Sequence, residues 1–146
     1  MKIYFSASIA GGRAYLAIYK KMVAHLKAAG HHVLSEHIIR DDIFSDEEKW
    51  APKKVFEQDI QWLDECDVVI AEVSNPSLGV GYEICYGLHI GKKVLCVYQK
   101  GLFISKMITG NTAENLILFE YAELGELFEM IERFLEEEGT DEKRQL

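Results

Sequence analysis

Positive charge is scarce in this 146-residue chain: sixteen Lys and Arg stand against twenty-four Asp and Glu, a formal net charge of −8. That balance works against tight, sequence-independent contact with phosphate backbones or anionic bilayers. It excludes a nucleic acid polymer and a membrane as partners while leaving a single nucleotide open. Cysteine is sparse too: Cys66, Cys85 and Cys96 are odd in number and lack the CxxC or Cys/His spacing of a zinc site, so they read as reduced, mostly buried thiols. Nowhere do about 20 apolar residues run together, as a bilayer span requires. The start, Met1-Lys2-Ile3-Tyr4-Phe5, lacks the apolar run and small-residue cleavage site of an export signal, and the expected location is the cytoplasm or nucleus. What is present is a hydrophobic fraction of 49% against 27% charged, enough apolar surface to fold one globule. One domain over 1–138 with a charged tail over 139–146 is expected.

Apolar runs of strand length alternate with helix-period stretches, the pattern of an α/β domain with a parallel sheet. Strands are predicted over 2–6, 32–38, 66–73, 93–98 and 115–119. Helices are predicted over 13–29, where Tyr15, Ile18, Tyr19, Met22, Val23 and Leu26 recur at threes and fours, and over 52–65, opened by Pro52. Two more are predicted over 80–89 and 123–137, with Gly30 and Gly91 as helix stops. The charged run 41–49 has too little apolar content to pack on both sides and reads as a loop or lid. The segment between the last two strands reads as a loop that holds Ser105 and a Gly110-Asn111 turn.

Right-handed crossovers then give a doubly wound, flavodoxin-like five-stranded sheet of order 2-1-3-4-5 with helices on both faces. Such sheets bind ligands where the order reverses, at the carboxyl ends of strands one and three. Two loops arrive there. In the first, Gly11 and Gly12 precede a predicted helix start, where unpaired N–H groups and the helix dipole suit an anion and Ser8 adds a hydroxyl. The same glycines are equally at home easing a tight turn, and neither GxGxxG nor GxxxxGK[ST] is present. The second loop repeats the arrangement, with Ser77 and Gly79 ahead of a helix whose early turns carry Glu83. Glu83 reads either as a complement to the helix dipole or as a reacting carboxylate, and Asp59 either as a solvated helix residue or as its partner. Two carboxylates in one crevice are what glycosyl transfer needs. His37, at a strand end, reads as structural, and Trp62 and Tyr82 read as core aromatics.

The segments Ile3-Tyr4-Phe5-Ser6-Ala7-Ser8-Ile9 with Gly11-Gly12-Arg13, Ser35-Glu36-His37, Glu57-Gln58-Asp59 with Trp62-Leu63, and Asp67 to Val73 running into Pro76-Ser77-Leu78-Gly79-Val80-Gly81-Tyr82-Glu83 carry a resemblance. They resemble the 2'-deoxynucleoside 5'-monophosphate N-glycosidases, relatives of the nucleoside 2-deoxyribosyltransferases, and the likeness runs over residues 3–121. It implies hydrolysis of the bond between base and deoxyribose in a deoxynucleoside 5'-monophosphate, with a purine favoured, dGMP first. By motif position Glu83 is implied as the nucleophile of a covalent glycosyl intermediate, Asp59 as the carboxylate assisting proton transfer, and Tyr4 as the phenol that orients the glutamate. Ser8, Ile9, Gly11, Ser77 and Gly79 are implied as substrate and phosphate contacts. Ser105 is implied to reach the phosphate of the neighbouring subunit in a homodimer. No cofactor or metal is implied. The family often carries a basic residue at the position of Ala10; here Arg13 stands three residues on. The alternatives are a nucleoside 2-deoxyribosyltransferase, a ribonucleotide N-glycosidase, or a non-catalytic nucleotide-binding module on the same sheet.

Overall fold

Every strand runs parallel to its neighbours in a sheet of order β2-β1-β3-β4-β5, the order expected from the alternation of elements. The structure is a computed structural model that describes residues 1–43, 45 and 48–144, with side chains through 140. Its elements are β1 (Lys2–Ala7), α1 (Leu16–Ala28), β2 (His32–Val33), a 3-10 turn (Glu36–Ile39), α2 (Pro52–Glu65), β3 (Val68–Glu72), α3 (Leu78–His89), β4 (Lys93–Gln99), α4 (Lys106–Thr109), β5 (Leu116–Tyr121) and α5 (Leu124–Arg144).

Strand alternation divides the core in two. Ile3, Phe5 and Ala7 of β1 face α1 and α5, packing with Tyr19, Met22, Val23, Leu26, Ile131 and Phe134. Tyr4 faces the other way, into a cluster with Leu63 of α2, Val80 and Ile84 of α3, and Val69, Ala71 and Cys96 of the sheet. Helices α1 and α3 each end in a paired-bond cap. His31 N–H reaches Leu26 O and Gly30 N–H reaches Lys27 O; Lys92 N–H reaches Gly87 O and Gly91 N–H reaches Leu88 O. Gly30 at φ 84° and Gly91 at φ 81° adopt the left-handed conformation that this cap requires.

Four expectations are corrected. The second strand stops at Val33, because the Ser35 hydroxyl donates to Phe5 O (2.7 Å) and accepts from Phe5 N–H (2.9 Å), replacing the ladder with a side chain. Helix α1 starts at Leu16, three residues late. Arg13 O already closes a turn onto Leu16 N–H, and the Arg13 guanidinium is drawn to the carbonyls of Ile38 (2.6 Å) and Arg40 (3.2 Å). The loop around Ser105 contains α4, a single turn capped by the Ser105 hydroxyl and stopped at Gly110. Finally, α5 continues through Gly139, where Thr140 Oγ1 donates back to Glu136 O and Glu137 O. The expected lid, 41–49, includes Phe44, Asp46 and Glu47, which lie outside the described residues. Of the three thiols, all free, Cys66 and Cys96 are buried and Cys85 is exposed on α3, in keeping with the expectation of mostly buried thiols. Among the described residues no helix is long and apolar enough to cross a membrane.

Candidate active site

Tyr4 and Ser6 are two residues apart on β1, so their side chains leave the sheet on the same face, toward α2 and α3. Glu83 comes from the second turn of α3. The Ser6 hydroxyl donates to Glu83 Oε2, and the Tyr4 hydroxyl is hydrogen-bonded to the same carboxylate. Burial first, then the charges of Glu83 and Asp59 and the hydrogen bond to Glu83, hold the Tyr4 phenol well above its ordinary value of 10.0. Tyr4 is therefore a protonated donor at any ordinary pH, held between two carboxylates. Asp59, half-buried on α2, completes the group. Tyr4, Asp59 and Glu83, far apart in sequence, are brought together.

The two loops expected to hold an anion meet in front of this group. A Cβ added to Gly11 would run into the Pro76 carbonyl oxygen and Ser8 Oγ, so only glycine permits the contact. Asn75 locks it by donating from Nδ2 to Gly11 O (3.1 Å) and Gly12 O (3.0 Å). The Ser8 hydroxyl is fully buried at this junction and has no hydrogen-bond partner among the described residues. Ser77 caps α3, its hydroxyl accepting from Val80 N–H (3.4 Å). Gly79 follows in the first turn, exposed, with room for a Cβ, so its glycine identity leaves open backbone rather than a steric fit. Ile9 stands half-buried at the head of the first loop and packs against the α1/α5 core. Because α1 begins at Leu16, Gly11 and Gly12 do not abut a helix end. The anion-binding argument therefore rests on one helix N-terminus, that of α3, and on the Ser8 hydroxyl. Arg13 donates to Ser8 O (3.4 Å) as well as to Ile38 O and Arg40 O, which ties the first loop to the segment after β2.

Ser105 makes its hydrogen bonds within its own turn, accepting from Met107 N–H (3.3 Å). Phe103 and Met107, two residues to either side of it, are each 82% exposed.

Sequence reasoning missed one wall of the site. Val55, Gln58, Asp59 and Trp62 recur at threes and fours along one face of α2 and line a cavity of ≈ 210 Å³, closed by Lys54, His37 and Trp50. The His37 ring lies 5.1 Å from Trp62 and 6.3 Å from Trp50, with its Nδ1 buried and without a hydrogen-bond partner among the described residues. Burial, with Arg40 nearby, lowers its pKa below 6.5, so the ring is neutral at pH 7. The signal was available: Trp62 stands one helical turn from Asp59 and shares its face. Tyr82, expected in the core, is 54% exposed and meets Phe56 edge-on at 6.2 Å. Ser6 was missed as well.

A sequence model of the nucleoside 2-deoxyribosyltransferase family matches residues 3–117. A Thermofilum pendens protein, provisionally named a 2'-deoxynucleoside 5'-phosphate N-hydrolase 1, is 42% identical over 137 residues, 92% of this chain and 95% of its own length. The 5-hydroxymethyl-dUMP N-hydrolase of Rattus norvegicus is 39% identical over 139 residues, covering 92% of this chain and 84% of the rat protein. Among solved structures, the CMP N-glycosidase BcmB of Clostridium botulinum superimposes with a TM-score of 0.66 at 19% identity, over 90% of this chain and 99% of that one. The 2-deoxyribosyltransferase of Bacillus psychrosaccharolyticus gives 0.64 at 20% identity, over 88% and 90%. Both structures share the fold described above.

Proposed function

The chain belongs to the nucleoside 2-deoxyribosyltransferase family, and from that premise we propose that it is an N-glycosidase hydrolysing 2'-deoxynucleoside 5'-monophosphates to free base and 2-deoxyribose 5-phosphate. The observation that carries the reading is the Glu83 carboxylate held by the Tyr4 phenol and, at the carboxyl end of β1, by the Ser6 hydroxyl, with Asp59 beside the phenol.

In the proposed reaction a Glu83 oxygen attacks the anomeric carbon as the bond to the base nitrogen breaks. The base leaves with the bonding electrons and takes up a proton with help from Asp59. A water molecule, giving its proton to Asp59, then attacks the same carbon, releasing the sugar phosphate and restoring the Glu83 carboxylate. Deoxyribose lacks the electron-withdrawing 2'-hydroxyl, so its oxocarbenium-like transition state needs less stabilisation, and the chain's own carboxylates suffice. Tyr4 donates to Glu83 and limits its rotation. Ser8, Ile9, Gly11, Ser77 and Gly79 hold the 5'-phosphate through hydroxyls and backbone N–H groups at the α3 N-terminus, where the helix dipole favours an anion. Binding energy from this remote phosphate orients the sugar over Glu83. The cavity along α2 takes the base.

The active form is a homodimer in which Ser105 reaches the phosphate of the neighbouring subunit. Exposed Phe103 and Met107, two residues to either side of it in sequence, support a second copy as the cover of this segment. A monodisperse monomer at assay concentration would contradict that arrangement.

The resemblance favours dGMP as substrate, whereas the name of the rat relative favours a 5-substituted dUMP. Purified protein is incubated with dGMP, 5-hydroxymethyl-dUMP, deoxyguanosine and GMP, and free base is separated by chromatography. Release from one or both deoxynucleotides alone supports the reading. Release from deoxyguanosine, with transfer to a second added base, would make the protein a deoxyribosyltransferase; release from GMP would make it a ribonucleotide N-glycosidase. Binding of all four without any release would leave a nucleotide-binding module.

A further inference from the structure

We propose that Ser6 is a positioning residue for Glu83: its hydroxyl, at the carboxyl end of β1, sets the rotation of the glutamate carboxylate and favours its ionised form. The inference deepens the reading of Glu83 as nucleophile and rests on it. Ser6 is fully buried, and its partner across the sheet is Ala71, itself in register with Cys96. A hydroxyl in this small, apolar row gains nothing from packing that Ala would not give, and burying it without a partner is costly. The backbone of Ser6 is already engaged in the β1–β3 ladder, so the side chain is not needed to satisfy the strand. What it does is donate to Glu83 Oε2.

The terminal torsion of a glutamate is broad and roughly two-fold, so a helix fixes where the carboxylate sits but not how it is turned. Two hydroxyl donors rising from one face of β1, Tyr4 and Ser6, remove that freedom. Donors to a carboxylate also favour the charged form, the only one that attacks carbon. The charged and titratable groups that act on the neighbouring Tyr4 phenol are Glu83 itself, Asp59 on α2 and Cys66. Of these, Asp59 opposes ionisation of Glu83 when charged, which gives the neutral donors their task.

The test measures kcat, KM and the pH dependence of base release for wild type, Ser6→Ala, Ser6→Cys and Glu83→Ala. Ser6→Ala is expected to lower kcat about tenfold or more with KM nearly unchanged, as for loss of a hydrogen bond to a charged group. Its acid limb is expected to move to higher pH, since Glu83 loses a donor that favours its charge. Ser6→Cys, close in size but a weaker donor, is expected to fall between. Wild-type kcat with an unmoved acid limb in Ser6→Ala, beside an inactive Glu83→Ala, would overturn the inference alone. A lowered kcat with an unmoved acid limb and a lowered melting temperature would assign Ser6 to packing and overturn it equally. Turnover retained by Glu83→Ala would remove the nucleophile reading itself.

Discussion

Tyr4 offers Glu83 a hydroxyl that burial and two nearby carboxylates keep protonated. Tyr4→Phe keeps the ring in its core cluster and removes only that donor. The expected outcome is a drop in kcat of about 10- to 100-fold, the equivalent of a hydrogen bond to a charged group, at nearly unchanged unfolding free energy. Steady-state kinetics beside urea unfolding check both halves. Gly11 presents the opposite case, a residue whose missing side chain matters. A Cβ there would strike the Pro76 backbone, which cannot swing aside as a flexible side chain could. Gly11→Ala is expected to cost about 1–3 kcal/mol of stability as overpacking and to raise KM for the nucleotide far more than for the unphosphorylated nucleoside. A KM rise shared equally by both substrates would show that the loop does not read phosphate. Tyr4, Asp59 and Glu83 were legible as candidates because the segments that carry them resemble a family, and the fold brings the three together. Ser6 was not, because its hydroxyl is ordinary until its partner, 77 residues on, is brought to it.

At the scale of elements, the helical stripes and glycine stops of α1 and α3 were readable from spacing, since period and cap are properties of a single segment. Boundaries set by side chains from elsewhere were not. The run 32–38 has strand composition throughout, yet Ser35 spends its hydroxyl on both backbone groups of Phe5 and ends the ladder. Ser35→Ala would leave those groups buried without that partner and is expected to cost about 1–3 kcal/mol, measured by denaturant unfolding; a change within a few tenths would show that the ladder re-forms there. The start of α1 was misplaced for a related reason, Arg13 being held by carbonyls of the segment after β2. The cavity along α2 was half visible. The spacing of Val55, Gln58, Asp59 and Trp62 marks one face of α2, but His37 and Trp50 close it from segments whose approach no local pattern records.

The whole molecule follows from one rule: a doubly wound parallel sheet collects the loops after β1 and β3 at one end, beside the candidate site. That much was legible, together with family membership. Its buried charge was not. Glu72, the last residue of β3, is fully buried on the face opposite Tyr4, accepting from the hydroxyls of Ser74 and Tyr121 (3.0 Å) and from Ser74 N–H (3.3 Å). Burial outweighs these bonds and raises its pKa above 4.5. The folded chain thus keeps a proton that the unfolded chain releases. The stabilisation is complete below the ordinary carboxylate value and is lost as pH rises through the raised one. Urea unfolding at a series of pH values is expected to show wild type losing stability relative to Glu72→Gln as pH rises from 4.5. A difference independent of pH would mean that Glu72 titrates normally.

The central claim is that Glu83 attacks the sugar while other groups bind the nucleotide. Its most direct test is base release from the preferred deoxynucleoside 5'-monophosphate by wild type and Glu83→Ala, with nucleotide binding measured calorimetrically on the same samples. The account predicts that Glu83→Ala binds the nucleotide and releases no base above background. Base release at the wild-type rate by Glu83→Ala would contradict it.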